Sequence, residues 1–239
     1  MTVPAAGEPL TLAGVADLLE GRHPDDHVAA EAYDLFGRGV FPYTGAFLSP
    51  DVTSEEPLAD TLRRGSARGA WAWVPAFCVA VRDEDSALGD AVADALEDWL
   101  AGERDLDAGR ARAALGDDAS EVPSLDDAGL KDLVGYLATP CRCGVFLSAL
   151  ALERIGRAHD VPRGFGGRQR VLQQLLLQGS RYESLPGVLD GLIAIVTRHE
   201  ERFAEAPWTG RESAGVWRAR ATQTKELLVG MRARIAEER

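Results

Sequence analysis

Four residues have the types and the spacing for metal chemistry. His23 and His27 are four apart, which sets two imidazoles on one face of a helix, and Cys141 and Cys143 flank a single arginine. Brought together by folding, they would supply the four ligands of a tetrahedral zinc site. Pro24 counts against this, because it leaves His23 outside the helix that follows, and Cys-x-Cys lacks the usual two-residue turn between ligands. The other role for Cys141 and Cys143 is as small buried hydrophobes beside Phe146. Arg142, if close, would lower a thiol pKa and suit redox sensing. A metal-binding helical enzyme or redox sensor using His23, His27, Cys141 and Cys143 is therefore the second reading of this chain.

Other catalytic patterns are hard to assemble. The sequence has no GxGxxG after a strand, no Walker-type loop and no HExxH. Gly164-Phe165-Gly166-Gly167-Arg168 is glycine-rich but lacks the Lys-Ser/Thr that contacts phosphate and metal, so it reads as a turn between helices. No local pattern marks an activated serine. The expectation is a binding protein with no catalytic residues and no cofactor.

The elements that must position these residues read as helices. Leu12, Val15, Leu18 and Leu19 fall on one stripe, and Pro24 with Asp25 and Asp26 suits the first turn of a second helix. Ser54, Ser86, Ser124 and Ser148 each stand where a helix would begin. The stripes behind the last three carry Leu88, Val92, Leu96 and Trp99; Leu130, Leu133, Val134 and Leu137; and Leu150, Leu152 and Ile155. Residues 166–182 and 185–203 read as two more helices. Residues 213–238 place Trp217, Ala221, Thr224, Leu228, Met231 and Ile235 three and four apart. The one β-like run, residues 71–81, is interrupted by Pro75 and reads as a buried loop or helix segment. Residues 103–123 are polar and read as flexible. The expected fold is all-α, a single-domain bundle of roughly ten helices over residues 1–239.

The segment Phe41-Pro42-Tyr43-Thr44-Gly45-Ala46-Phe47-Leu48-Ser49-Pro50 joins helices yet is aromatic and apolar, so it either enters the core or lines a groove for a partner. Gly45-Ala46-Phe47-Leu48-Ser49 is echoed by Gly144-Val145-Phe146-Leu147-Ser148, each a few residues after a proline. Both read as one device: an extended entry, an apolar anchor and a serine that caps a helix.

Composition bounds the partners. The 239 residues hold 26 Lys and Arg against 38 Asp and Glu, a net charge of −12. Such a surface repels phosphate backbones and argues against nucleic acid. Residues 83–132 hold 16 acidic and 4 basic residues, whereas residues 140–181 hold 7 basic and 2 acidic. The acidic middle third therefore suits a cationic partner, unless it is simply a solvated face. Three cysteines, no basic apolar leader and no apolar run of about 18–20 residues lead to the expectation of a cytoplasmic chain without membrane insertion.

Three stretches resemble the TorD/DmsD/NarJ family of redox-enzyme maturation chaperones. Tyr33-Asp34-Leu35-Phe36 followed by residues 41–49 resembles the family's Y-x-x-L-F … P-P-Y-E-S-x-Y-L-S segment, with Thr44 where the family has Glu. Thr139-Pro140-Cys141-Arg142-Cys143-Gly144-Val145-Phe146-Leu147-Ser148, running on to Arg157, resembles a stretch of TorD-like members, and residues 166–175 with the helix from Leu185 continue it. The family's P-D-H-L … E-L element does not follow the first stretch; Pro24-Asp25-Asp26-His27-Val28 precedes it instead. The likeness covers roughly residues 28–205. It implies an all-helical chaperone, monomer or homodimer, that binds a molybdoenzyme apoprotein or its twin-arginine signal peptide before cofactor insertion and export. On that reading the contacts are Tyr33, Phe36, Pro42, Tyr43 and Phe47, with acidic help from Asp94, Glu97 and Asp98.

Overall fold

The end of the chain shows most directly how sequence becomes helix here. Trp217, Ala221, Thr224, Leu228, Met231 and Ile235 are all buried along one side of a 26-residue helix. The structure, a computed structural model, describes residues 10–19, 25–32, 74–102, 122–162, 168–181, 183–205 and 212–237. Among these residues the helices are α1 (Leu12–Leu19), α2 (Asp26–Ala32), α3 (Val74–Arg82), α4 (Ala87–Gly102), α5 (Asp127–Leu137), the single turn α6 (Pro140–Cys143), α7 (Ala149–Ala158), α8 (Arg168–Arg181), α9 (Leu185–Glu205) and α10 (Glu212–Glu237). The described residues contain no strand, and no helix among them is long and apolar enough to cross a membrane.

The two longest helices form the central pair. Phe203 meets Trp217, Lys225 pairs with Glu200, and Arg232 donates to Asp190 at 3.1 Å. Early residues of α9 thus meet late residues of α10, so the pair is antiparallel. Helices α3, α7 and α8 pack on α9, α4 covers α3, and α1 and α2 lie on α4. Helix α5 packs on α8, and α6 bridges α5 to α10. One contiguous apolar cluster runs through these elements from Val15 to Ile235.

Local signals set the helix ends. Ser148 caps α7 by accepting the Ala151 amide, and Ser86 accepts the Gly89 amide at the start of α4. At α5 the cap is Asp126, which accepts from Gly129, rather than Ser124; the Ser124 hydroxyl instead donates to the Asp126 carboxylate at 2.6 Å. These two bonds hold the Asp126 carboxyl below the usual carboxylate range.

Three expectations are refined. The β-like run is helix from Val74 onward, with Pro75 in the first turn, where its missing N–H costs nothing. Eight of that helix's nine residues are buried, which explains a continuous apolar run without alternation. Pro140 does not open an extended entry but begins the turn α6, and residues 145–148 after it have no regular structure, with Ser148 extended. Of the segment read as flexible, residues 103–121 lie outside the described residues, while Val122 and Pro123 are held by the Arg234 guanidinium through their carbonyls.

Candidate functional site

Helix α4 carries the acidic face. Asp90, Asp94 and Asp98 follow at four-residue intervals, one turn apart, and all three are exposed. Arg82, in the last turn of α3, reaches across to this row. Its guanidinium meets Asp94 at 2.6 Å, Glu97 at 2.5 Å and Asp90 at 3.5 Å. Those carboxylates hold the Arg82 proton more tightly than usual, chiefly through the bond to Glu97.

The three acidic residues singled out in the sequence therefore differ in role. Asp98 is exposed and has no ion-pair partner among the described residues; Asp94 is exposed but shares Arg82. Glu97 is buried, with its charge already matched by Arg82, and faces the protein's interior. Tyr33, Phe36, Pro42, Tyr43 and Phe47 lie outside the described residues, as does His23.

Part of the acidic stretch is paired internally. The turn between α3 and α4 sends Asp83 to Arg198 at 2.9 Å and Glu84 to Arg154 at 2.6 Å. Glu84 also accepts from the Ser148 hydroxyl at 2.7 Å, and Ser86 donates to Glu31. Arg154 of α7 and Arg198 of α9 are thus committed to the acidic turn, whereas the outer row of α4 has only Arg82 as a counter-charge among the described residues.

The second cluster is the segment from α6 to α7, the stretch with the Cys-x-Cys pattern. Its backbone crosses the interior, so its carbonyls and amides need partners there. Thr224 donates to the Cys143 carbonyl at 2.7 Å, which obliges the Tyr136 hydroxyl, 2.7 Å away, to donate to Thr224. Burial pushes Tyr136 up to about 12, keeping it a neutral donor. Arg220 donates to the Arg142 carbonyl at 3.1 Å. Gly144 closes α6 at φ 71°, pressed so near α10 that a Cβ would stand 2.9 Å from the Ala221 nitrogen. His199 from α9 accepts the Phe146 amide at 3.2 Å, and Phe146 meets Phe77 edge-on at 5.2 Å.

The Cys143 thiol is fully buried and donates to the Val145 carbonyl at 3.2 Å. His27 is exposed on α2. No group of three His, Cys, Asp or Glu side chains among the described residues is placed to hold a metal ion. Cys78 sits in the core, and burial raises its thiol well above the ordinary value, which makes it a poor nucleophile.

His199, Arg220 and Arg82 went unnoticed in the sequence, where each is one residue in an otherwise ordinary helix. Only the burial of neighbours at three and four residues' distance hints that they point inward. Compared with protein-family models, with curated proteins and with solved structures, the chain gives no match.

Proposed function

We propose that this protein is an assembly chaperone that binds a molybdoenzyme apoprotein, or its twin-arginine signal peptide, before cofactor insertion and export, and that it does so without covalent chemistry. The observation that carries the proposal is the exposed Asp90, Asp94 and Asp98 row on α4, with Arg82 as its counter-charge. A row of carboxylates one turn apart attracts a peptide bearing adjacent arginines and speeds its encounter. The resemblance of residues 33–49 and 139–157 to the TorD-like chaperones names the client class.

The test is direct binding of a twin-arginine signal peptide, alongside a copy with both arginines replaced by glutamine. The wild-type peptide should bind more tightly, and Asp94→Asn with Asp98→Asn should weaken it by roughly 5- to 30-fold, at about 0.5–1 kcal/mol per exposed charge. The difference should shrink as salt rises. Equal binding of both peptides, together with recovery of no molybdoenzyme subunit from the native host, would refute the proposal.

A further inference from the structure

His199 is fully buried, and one of its nitrogens faces two incompatible partners. Nε2 lies 3.2 Å from the Phe146 amide and 3.2 Å from the Ala76 carbonyl oxygen. An amide only donates and a carbonyl only accepts, so Nε2 satisfies one of them as a lone pair and the other as an N–H. On the far side of the ring, Nδ1 is 3.1 Å from the Ile195 carbonyl, a position that calls for an N–H. In the neutral ring, hydrogen on Nδ1 serves Ile195 while the Nε2 lone pair holds Phe146, and the Ala76 oxygen faces that lone pair unserved by it. The other neutral form would set a lone pair against Ile195 and lose Phe146. The imidazolium would serve both carbonyls and lose only Phe146.

We propose that His199 is a proton-operated clasp: a proton taken from solvent at Nε2 transfers the ring from the Phe146 amide to the Ala76 carbonyl and releases that amide, in the middle of the segment 144–148. What the proton would free is specific. Residues 145–148 have no regular backbone structure, cross the interior between α6 and the Ser148 cap of α7, and seat Phe146 against Phe77 of α3. Loss of the amide bond unhooks this segment from α9, while α3 and α9 gain a bond between themselves.

The surroundings set the direction. Burial pushes the His199 pKa below its ordinary value, so the open form takes the proton before the closed one does. Of the charged groups nearby, Asp83 in the turn after α3 raises it and Arg198 on α9 lowers it, and these two are paired with each other. Helix α3 otherwise contributes the neutral Cys78 and Arg82, the latter committed to α4; α10 contributes Lys225, paired with Glu200 of α9. The segment itself holds no acid or base. The clasp is therefore shut at neutral pH and loosens as pH falls below the ordinary histidine value of about 6.5.

Two measurements on the full chain test this. The ring nitrogens of His199, read by nitrogen–proton correlation at pH 7.5, should show hydrogen on Nδ1 and a bare Nε2. In hydrogen–deuterium exchange corrected for intrinsic rates, the Phe146 amide should lose protection about tenfold per pH unit below that value. At each pH it should exchange faster than Leu192, in the middle of α9. His199→Gln, whose side-chain oxygen accepts but takes no proton, should abolish the pH dependence that sets Phe146 apart from Leu192. A hydrogen on Nε2 at pH 7.5 would overturn the clasp, as would protection of Phe146 equal to that of Leu192 throughout. Both are read on the wild type, so the outcome stands even if the variant does not fold.

Discussion

Thr224 shows how far one hydroxyl reaches. It accepts from Tyr136 and donates to Cys143, joining α5, α6 and α10 at a point sealed from water. Thr224→Val leaves the Cys143 carbonyl without its donor and the Tyr136 hydroxyl without its acceptor, at about 2–3 kcal/mol by urea unfolding. Tyr136→Phe removes one bond and leaves Thr224 bonded to Cys143, so it should cost only about 1 kcal/mol; the reverse order would show that the chain does not run in this direction. Arg82 offers a second comparison. Arg82→Met strands buried Glu97 and should cost about 2–3 kcal/mol, most of it regained in Arg82→Met with Glu97→Leu. Residue spacing placed Thr224 on the buried stripe of its helix, but its partners stand 81 and 88 residues away and left no local mark. Glu97 was read as facing a partner for the same reason: a count of charge along the chain holds no information about which carboxylate turns inward.

Helix contacts in this protein depend on where side chains are missing. A Cβ on Gly191 of α9 would stand 2.9 Å from Ile155 of α7, whereas one on Gly135 of α5 would meet nothing within 4 Å. Gly191→Ala should therefore force α7 and α9 apart and destabilise by about 1–3 kcal/mol. Gly135→Ala should stabilise by up to about 1 kcal/mol through helix propensity. Thermal unfolding of the two variants checks both signs. Gly144→Ala combines a left-handed backbone with the contact on α10 and should cost about 2 kcal/mol or more. At this scale the sequence was largely legible. The three- and four-residue recurrence of apolar residues located α4, α5 and α7 through α10, and Ser86 and Ser148 marked true starts. It failed where two signals competed: with Ser124 and Asp126 both able to cap, the choice fell to the geometry of the turn before α5. In the run read as β-like, burial on all sides of residues 74–81 erased the periodicity that separates helix from strand.

Across the whole molecule, the described helices share one apolar cluster, to which α1 contributes Val15 and α10 Ile235. Such continuity predicts a single cooperative transition in urea, with helix content by circular dichroism and core packing by tryptophan fluorescence changing together. Separate midpoints would mean that the cluster divides. An all-α architecture was legible in advance because helical periodicity recurs along nearly the whole chain. The distribution of charge was less so. The acidic third and the basic stretch were visible as opposites, yet nothing local said that Arg154 of the one would close on Glu84 of the other.

Helix α3 also carries a consequence for the protein's own synthesis. Its eight buried residues leave the ribosome long before their cover: Phe146 follows Phe77 by 69 positions, and His199 follows Ala76 by 123. At about 5–20 residues per second, the second interval lasts roughly 6–25 s, during which an apolar nascent segment waits for the contacts with Phe146 and His199 that complete its cover. A slowed ribosome downstream of α4 would lengthen that wait and shift the yield from folded chain to aggregate.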